Sequence, residues 1–198
     1  MYLVGASGHG KVIFDILRLN SQKVQGFYDK NEQLESLLGH NVYPESQIKD
    51  EDQLIISIGD NSIRKKLSEK FKNNSYGKAI HPSAVLAKNI RIGEGSVVMA
   101  GAIINIDSLI GNHAIINTSS SVDHDCIIGD YSHIAPNTTL CGGVTVGEGT
   151  LIGAGAVVIP NVKIGAWALV GAGAVVVNDV PDGACVVGNP ARVITSIK

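Results

Sequence analysis

The adjacent pair His124-Asp125, inside a polar run from Asn117 to Cys126, is where this sequence is best equipped to move a proton. A neutral imidazole beside a carboxylate is a general base, because the carboxylate stabilises the imidazolium as the proton arrives. Two more histidines, His113 and His133, lie close by in the chain. No two histidines are spaced as H-x4-H, so no metal site is expected. Cys126 falls on an inward repeat position and reads as a small buried hydrophobe, not as a nucleophile. A second chemistry is written near the start, in Gly5-Ala-Ser-Gly-His-Gly10. Glycines at the mouth of a helix leave backbone N–H groups open to phosphate oxygens. The spacing is G-x-x-G-x-G, neither the dinucleotide fingerprint nor a P-loop. Asp29 and Gly59 close two further strand candidates, so three turns at one sheet edge point to a nucleotide-type ligand.

These residues must be positioned by two different kinds of structure. From Ile80 to Val176 every sixth residue is aliphatic, seventeen times in succession. Four residues after each anchor stands a mostly small or β-branched residue, such as Ala84, Ser96, Ala102, Ser108, Ser132 or Thr138. A six-residue period with two inward positions marks a parallel β-helix, three hexapeptides to a triangular coil. Gly93, Gly111, Gly129, Gly147 and Gly165 recur every 18 residues and stack along one edge, where they are expected to supply the sharp bends. On this ladder His124 points outward, while His133 lies half a coil away on another part of the triangle. A site using both therefore calls for neighbouring subunits.

Before the ladder, Tyr2–Gly5, Val24–Tyr28 and Leu54–Ile58 read as buried strands. Helices are expected after Gly10, where Val12, Ile13, Ile16, Leu17 and Leu19 recur at helical intervals, and over 62–71. Strand, helix, strand, strand, helix makes a small parallel α/β unit. The cluster Asn73–Gly77 marks its end, giving an α/β domain over 1–78 and a β-helix with a short C-terminal extension over 79–198.

Composition narrows the classes. Aromatic content of 5% with 23 glycines suits the narrow interior of a solenoid. A net charge of −2 offers no footprint for nucleic acid. No run approaches about 20 apolar residues and no signal peptide is evident, so neither membrane span nor export is expected. Three cysteines without CxxC spacing suggest no disulfide framework, as in a cytoplasmic protein.

Several motifs together, Gly5–Gly10, Ile58–Lys66, Asn117-Thr-Ser-Ser, His124–Gly129, Ser132-His133 and Gly188-Asn-Pro-Ala, resemble the hexapeptide-repeat sugar acetyltransferases with an N-terminal Rossmann-like domain, the PglD/NeuD group. The resemblance covers essentially the whole chain. It implies a left-handed β-helix, a homotrimer, acetyl-CoA bound between neighbouring β-helices, and a nucleotide-activated amino sugar as acceptor. The branch that looks most similar acetylates the 4-amino group of a UDP-4-amino-4,6-dideoxy-N-acetylglucosamine in bacillosamine synthesis. Sialic acid O-acetylation and GDP- or dTDP-linked amino sugars are the alternatives. By position, His124 would be the base and Asp125 its polarising partner; the family has Glu there, and Asp shortens the reach. Ser7, Gly8 and His9 would meet the nucleotide sugar, with Asp29, Lys30, Gly59 and Asn117. His133, Gly142, Ala154 and Ala172 would contact acetyl-CoA. A non-catalytic β-helix scaffold is the competing class, and the polar cluster from Asn117 to Asp125 argues against it.

Overall fold

The computed structural model describes residues 1–196. Its N-terminal part is a sheet of strands β1 (Tyr2–Val4), β2 (Gly26–Asp29), β3 (Ser36–Leu37), β4 (His40–Pro44), β5 (Gln53–Ile56) and β6 (Ser75–Tyr76), with helices α1 (Gly8–Leu19) and α2 (Asn61–Lys70). The strand order is β3-β4-β2-β1-β5-β6. All pairings are parallel except the β3–β4 hairpin. Leu3, Phe27, Leu54 and Ile55 are fully buried at its centre, which is why these strands read as unbroken apolar runs.

Two elements depart from the sequence reading. The β3–β4 hairpin goes unannounced because its pairing is short and its residues are only partly buried. Asn73–Gly77, read as a boundary turn, instead contains edge strand β6, and the Gly77 N–H donates to Leu54 O at 2.9 Å. The chain thus passes from sheet to β-helix without a loose linker.

From Ala79 the ladder becomes three parallel sheets, the faces of a prism. The first face starts with Ala79–Ile80, the second with Val85–Leu86 and the third with Arg91–Ile92. Partners are 18 residues apart, as in Val97↔Ile115 and Ile115↔His133. The anchors from Val98 to Val176 fill the interior. The second inward position takes small hydroxyls for a reason beyond size. Ser96 Oγ donates to Gly111 O (2.7 Å), Ser132 Oγ to Gly147 O (2.8 Å) and Thr150 Oγ1 to Gly165 O (2.6 Å), so the buried polar groups are satisfied. Val180 and Val186 continue the columns after the period ends, bridging to Ile164 and Val170.

The bends are not made where expected. The stacked glycines Gly93, Gly111, Gly129, Gly147 and Gly165 do not have positive φ. They are small because a Cβ on Gly129 would lie 2.8 Å from Gly147 C, and one on Gly147 2.6 Å from Gly165 C. The left-handed residue comes three positions after each anchor from Leu86 to Val170: Asn89, Gly95, Gly101, Asp107, His113, Ser119, Asp125, Tyr131, Asn137 and so on through Trp167 and Gly173. A side chain in that conformation costs about 1–2 kcal/mol. At one edge of the prism it is tolerated three times by large rings, His113, Tyr131 and Trp167.

That edge is where the α/β part docks. His113 stacks on Tyr131 with centroids 5.4 Å apart and meets Tyr76 edge-on at 4.5 Å. Ser68 Oγ lies 2.9 Å from the Tyr131 hydroxyl, Asn61 Nδ2 donates to Gly149 O (3.0 Å), and Lys65 pairs with Glu148 at 2.5 Å beside Trp167. Arg64, only 1% exposed, crosses the junction. It donates to the carbonyls of His113 (2.7 Å), Tyr131 (2.6 Å) and Ile58 (3.0 Å) and to Asn61 Oδ1 (2.9 Å). Burial pushes its pKa down to about 10, so it stays charged at neutral pH. None of the described helices is long and apolar enough to cross a membrane.

Candidate active site

Val122 is buried on the second face, and the chain then turns onto the third through Asp123, His124 and Asp125. Asp125 sits at φ 59, and its Oδ2 lies 2.7 Å from His124 Nδ1. The shorter carboxylate therefore reaches the ring. Asp123 steadies the same turn, its Oδ1 accepting from the His124 N–H (2.8 Å) and from Asn105 Nδ2 (2.8 Å). These bonds hold Asp123 below its usual pKa. The Asp125 hydrogen bond, then the Asp123 charge, raise that of His124. With Nδ1 committed to Asp125, Nε2 is left to accept a proton.

The ring stands over Gly142, where a Cβ would lie 2.5 Å from His124 Cε1. Residue 142 must be glycine for His124 to occupy this place. Asp123, His124, Asp125, Cys141, Gly142 and Asn161 border an open pocket of about 330 Å³. Cys126 is buried beneath, its thiol pushed up to about 11 by desolvation, and it is no nucleophile at neutral pH.

A second cleft, of about 460 Å³, opens at the C-terminal edge of the α/β sheet. Ser7, Asp29 and Lys30 line it with Asn31 and Glu45, against a wall that includes Leu34, Ile63 and Leu67. α1 begins at Gly8, so its first N–H groups have no intrahelical acceptor, and the Ser7 side chain makes no capping bond. A Cβ on Gly8 or Gly59 would meet nothing within 4 Å, whereas one on Gly10 would strike Gly5 O at 2.5 Å. The glycines of this loop thus divide: Gly10 serves packing, Gly8 leaves space. Asp29 holds the loops with both oxygens, accepting from Ala6 N–H (2.7 Å) and Asn31 N–H (2.8 Å).

A third group gathers at the junction. His133, on the first face, has Nε2 at 2.9 Å from Asn117 Nδ2, while the Gly59 carbonyl, His9 and Arg64 surround it. Desolvation, then the Arg64 charge, push His133 and His9 down to about 4, and His113 likewise. His9 Nε2 and His113 Nδ1 are buried without a partner among the described residues. All three rings are neutral at pH 7, the opposite of the tendency at His124.

The structure sorts the expected residues in an unexpected way. Ser7, Gly8, Asp29 and Lys30 share the sheet edge, and His9, Gly59 and Asn117 share the junction with His133. Gly142 stands with His124. Ala154, whose carbonyl accepts from Gly173 N–H (2.9 Å), and Ala172 follow first-face strands, at a different prism edge. His133, Gly142 and the two alanines therefore lie in three places on one chain. Sequence reasoning missed Arg64, Asp123 and Glu45. A signal for the docking edge existed: rings at positions 113, 131 and 167, where the period places glycine, asparagine, aspartate or serine elsewhere.

A β-helix carrying an exposed His–Asp pair, joined to an α/β unit with a phosphate-ready loop, is the build of a hexapeptide-repeat transferase. Comparisons with known proteins fix the relationship. Residues 1–71 match the PglD N-terminal domain, and 107–142 and 143–178 match the bacterial transferase hexapeptide repeats. Over 98% of this chain and 96% of the other, PerB from Caulobacter crescentus, solved with CoA and GDP-perosamine, superimposes with TM-score 0.91 and 42% identity. The acetyltransferase domain of PglB from Neisseria gonorrhoeae matches over 98% of both chains, with TM-score 0.91 and 34% identity. UDP-N-acetylbacillosamine N-acetyltransferase of Bacillus subtilis is 42% identical over 108 residues, about half of each protein's length. The chain belongs to the family of hexapeptide-repeat sugar N-acetyltransferases with a PglD N-terminal domain.

Proposed function

We propose that the protein transfers an acetyl group from acetyl-CoA to the 4-amino group of a 4-amino-4,6-dideoxy sugar carried on a nucleoside diphosphate. The observation that carries this is the 2.7 Å contact between His124 Nδ1 and Asp125, which leaves Nε2 free in an open pocket over Gly142. The amine lone pair attacks the thioester carbonyl and forms the C–N bond. His124 Nε2 takes the N–H proton as the tetrahedral intermediate develops. Collapse breaks the C–S bond, and the imidazolium returns the proton to the leaving thiolate. Asp125 keeps Nδ1 protonated and stabilises the imidazolium throughout. Backbone N–H groups along the prism edge are suited to the oxyanion. No acyl-enzyme forms.

In this reading residues 1–78 hold the nucleotide sugar and 79–198 perform the transfer. Ser7, Gly8 and Lys30 meet the diphosphate, and Asp29 meets the ribose through its remaining lone pairs. His9, Gly59, Asn117 and His133 form the inner end of the cleft. Gly142 on one chain and Ala154 and Ala172 on a neighbour enclose CoA, so the working unit is a homotrimer. Support comes from Ile106, Leu109 and Ile127, large apolar side chains left exposed beside the His124 edge. Both co-substrates place the reaction in the cytoplasm.

Uridine is the nucleotide of the branch named by the sequence resemblance and of the Bacillus relative, and guanosine that of the Caulobacter one. The test is CoA-thiol release with acetyl-CoA and a panel of UDP-, GDP- and dTDP-4-amino sugars and free sialic acid. Turnover with a nucleotide-linked amino sugar, lost in His124→Ala, is the expected result. Turnover with sialic acid alone would establish O-acetylation instead.

A further inference from the structure

We propose that Glu45 reads the base of the nucleotide and selects guanine, which deepens, and rests on, the nucleotide-sugar reading of the cleft. The topology sets an order along the sheet edge. Proceeding β4-β2-β1-β5, the edge presents Glu45, then Asp29 and Lys30, then Ser7 at the α1 N-terminus, then Gly59 beside the junction. Neighbouring strands are about 4.8 Å apart, so Glu45 lies about 10 Å from the end of β1. A diphosphate over the α1 N-terminus, with the amino sugar directed past Gly59 toward the prism, puts the ribose at Asp29 and the base at Glu45.

The polar inventory of the cleft then leaves one carboxylate at the base end of that order. Each Asp29 oxygen already accepts one N–H, from Ala6 or Asn31, and its remaining lone pairs fall to the ribose. Asn31 Oδ1 accepts from Gln33 N–H (3.1 Å), and Ser7 and Lys30 stand toward the phosphates. Glu45 bonds through Oε1 to Lys70 Nζ at 2.5 Å, which leaves Oε2 and the second lone pair of Oε1. Leu34, Ile63 and Leu67 offer apolar walls for a flat ring.

Guanine presents adjacent donors, N1–H and the N2 amino group, with O6 beside them. A carboxylate accepts both donors. Uracil and thymine present a single N3–H between two carbonyls. Against them the second carboxylate oxygen would face a carbonyl oxygen, which is repulsive. A site built around paired hydrogen bonds rejects a base lacking one of them by roughly tenfold or more.

The experiment is calorimetric titration of the full-length protein with GDP, UDP and dTDP. The expected result is GDP at least tenfold tighter than UDP and dTDP. Glu45→Gln should bring GDP to the level of UDP without changing the melting temperature, and Lys70→Ala, which leaves the carboxylate, should keep the GDP preference. UDP or dTDP binding as tightly as GDP, or a GDP/UDP ratio unmoved by Glu45→Gln, would overturn the proposal while leaving the cleft a nucleotide site. If none of the three binds, the nucleotide-sugar reading itself falls, and the assignment of Glu45 with it.

Discussion

His124 and His133 are nine residues apart and live in opposite surroundings. His124 stands at an exposed edge, its side chain 56% accessible, with two carboxylates pulling its pKa up. His133 lies against the α/β part with Arg64 and His9, and desolvation pulls its pKa down to about 4. The half-coil between them separates a ring whose proton affinity is raised from one whose proton affinity is lowered. Residue type alone says nothing of this; the face of the prism decides it.

The comparison breaks most visibly in catalysis. His124→Ala should lower kcat by about 10²–10⁴-fold, the usual contribution of a positioned general base. Its exposed ring holds no core together, so the melting temperature should hardly move. His133→Ala should instead raise KM for the nucleotide sugar while leaving most of kcat, as the proposed place of the ring at the inner end of the sugar site requires. Steady-state kinetics on the two variants checks the split. Equal losses of kcat in both would abolish the distinction.

Arg64 is the next lever, because it fastens the buried side of the comparison and touches nothing at His124. Arg64→Met removes a charged donor and leaves the carbonyls of His113 and Tyr131 short of partners, which costs about 3 kcal/mol. Chemical denaturation should show this as a lower midpoint, with loss of nucleotide binding ahead of the β-helix transition. A single unchanged transition would mean that the junction does not depend on this guanidinium.

How much of this could be read beforehand depends on whether it repeats. The ladder from Ile80 to Val176 is visible because each anchor meets the same steric demand as the one 18 residues away. His124 follows from it directly, since a position two past an anchor lies on the turn outside the prism. The bends were harder: glycines such as Gly147 recur for lack of room above them, while the left-handed turn falls two residues later on side chains of every kind. The junction was the least legible. His9, Gly59, Arg64, Asn117 and His133 meet only when two domains dock, and no local period records that contact. Strand β6 was hidden for a related reason, because Asn73–Gly77 has turn composition yet pairs with β5.

Titration sharpens the same contrast. His9, His113 and His133 fall from 6.5 unfolded to about 4 folded, so the unfolded chain binds more protons between those values. Stability should therefore decline as pH drops from about 6.5 toward 4, and level off above. His124 has the opposite sign: its raised pKa adds stability at acid pH that is lost on passing above the folded value. Being exposed, it cannot offset three buried rings. Melting temperature against pH for the wild type and His113→Phe checks the sign, the variant being less acid-sensitive. A flat profile would remove the electrostatic distinction between the two regions.

The smallest effect lies at Asp125, where chemistry and backbone pull against each other. Its left-handed conformation (φ 59) is one that glycine adopts freely, at a saving of about 1 kcal/mol. Asp125→Gly should thus melt no lower than the wild type, yet lose the contact that holds His124 Nδ1. Asp125→Asn keeps an acceptor and tolerates the backbone, but drops the charge. Because the carboxylate raises the His124 pKa, its removal should shift the acid limb of kcat/KM to lower pH and reduce kcat by roughly tenfold. If the acid limb stays put in Asp125→Asn while kcat falls, Asp125 orients the ring without tuning its basicity. The difference between His124 and His133 would then rest on Asp123 at the first ring and on desolvation and the Arg64 charge at the second.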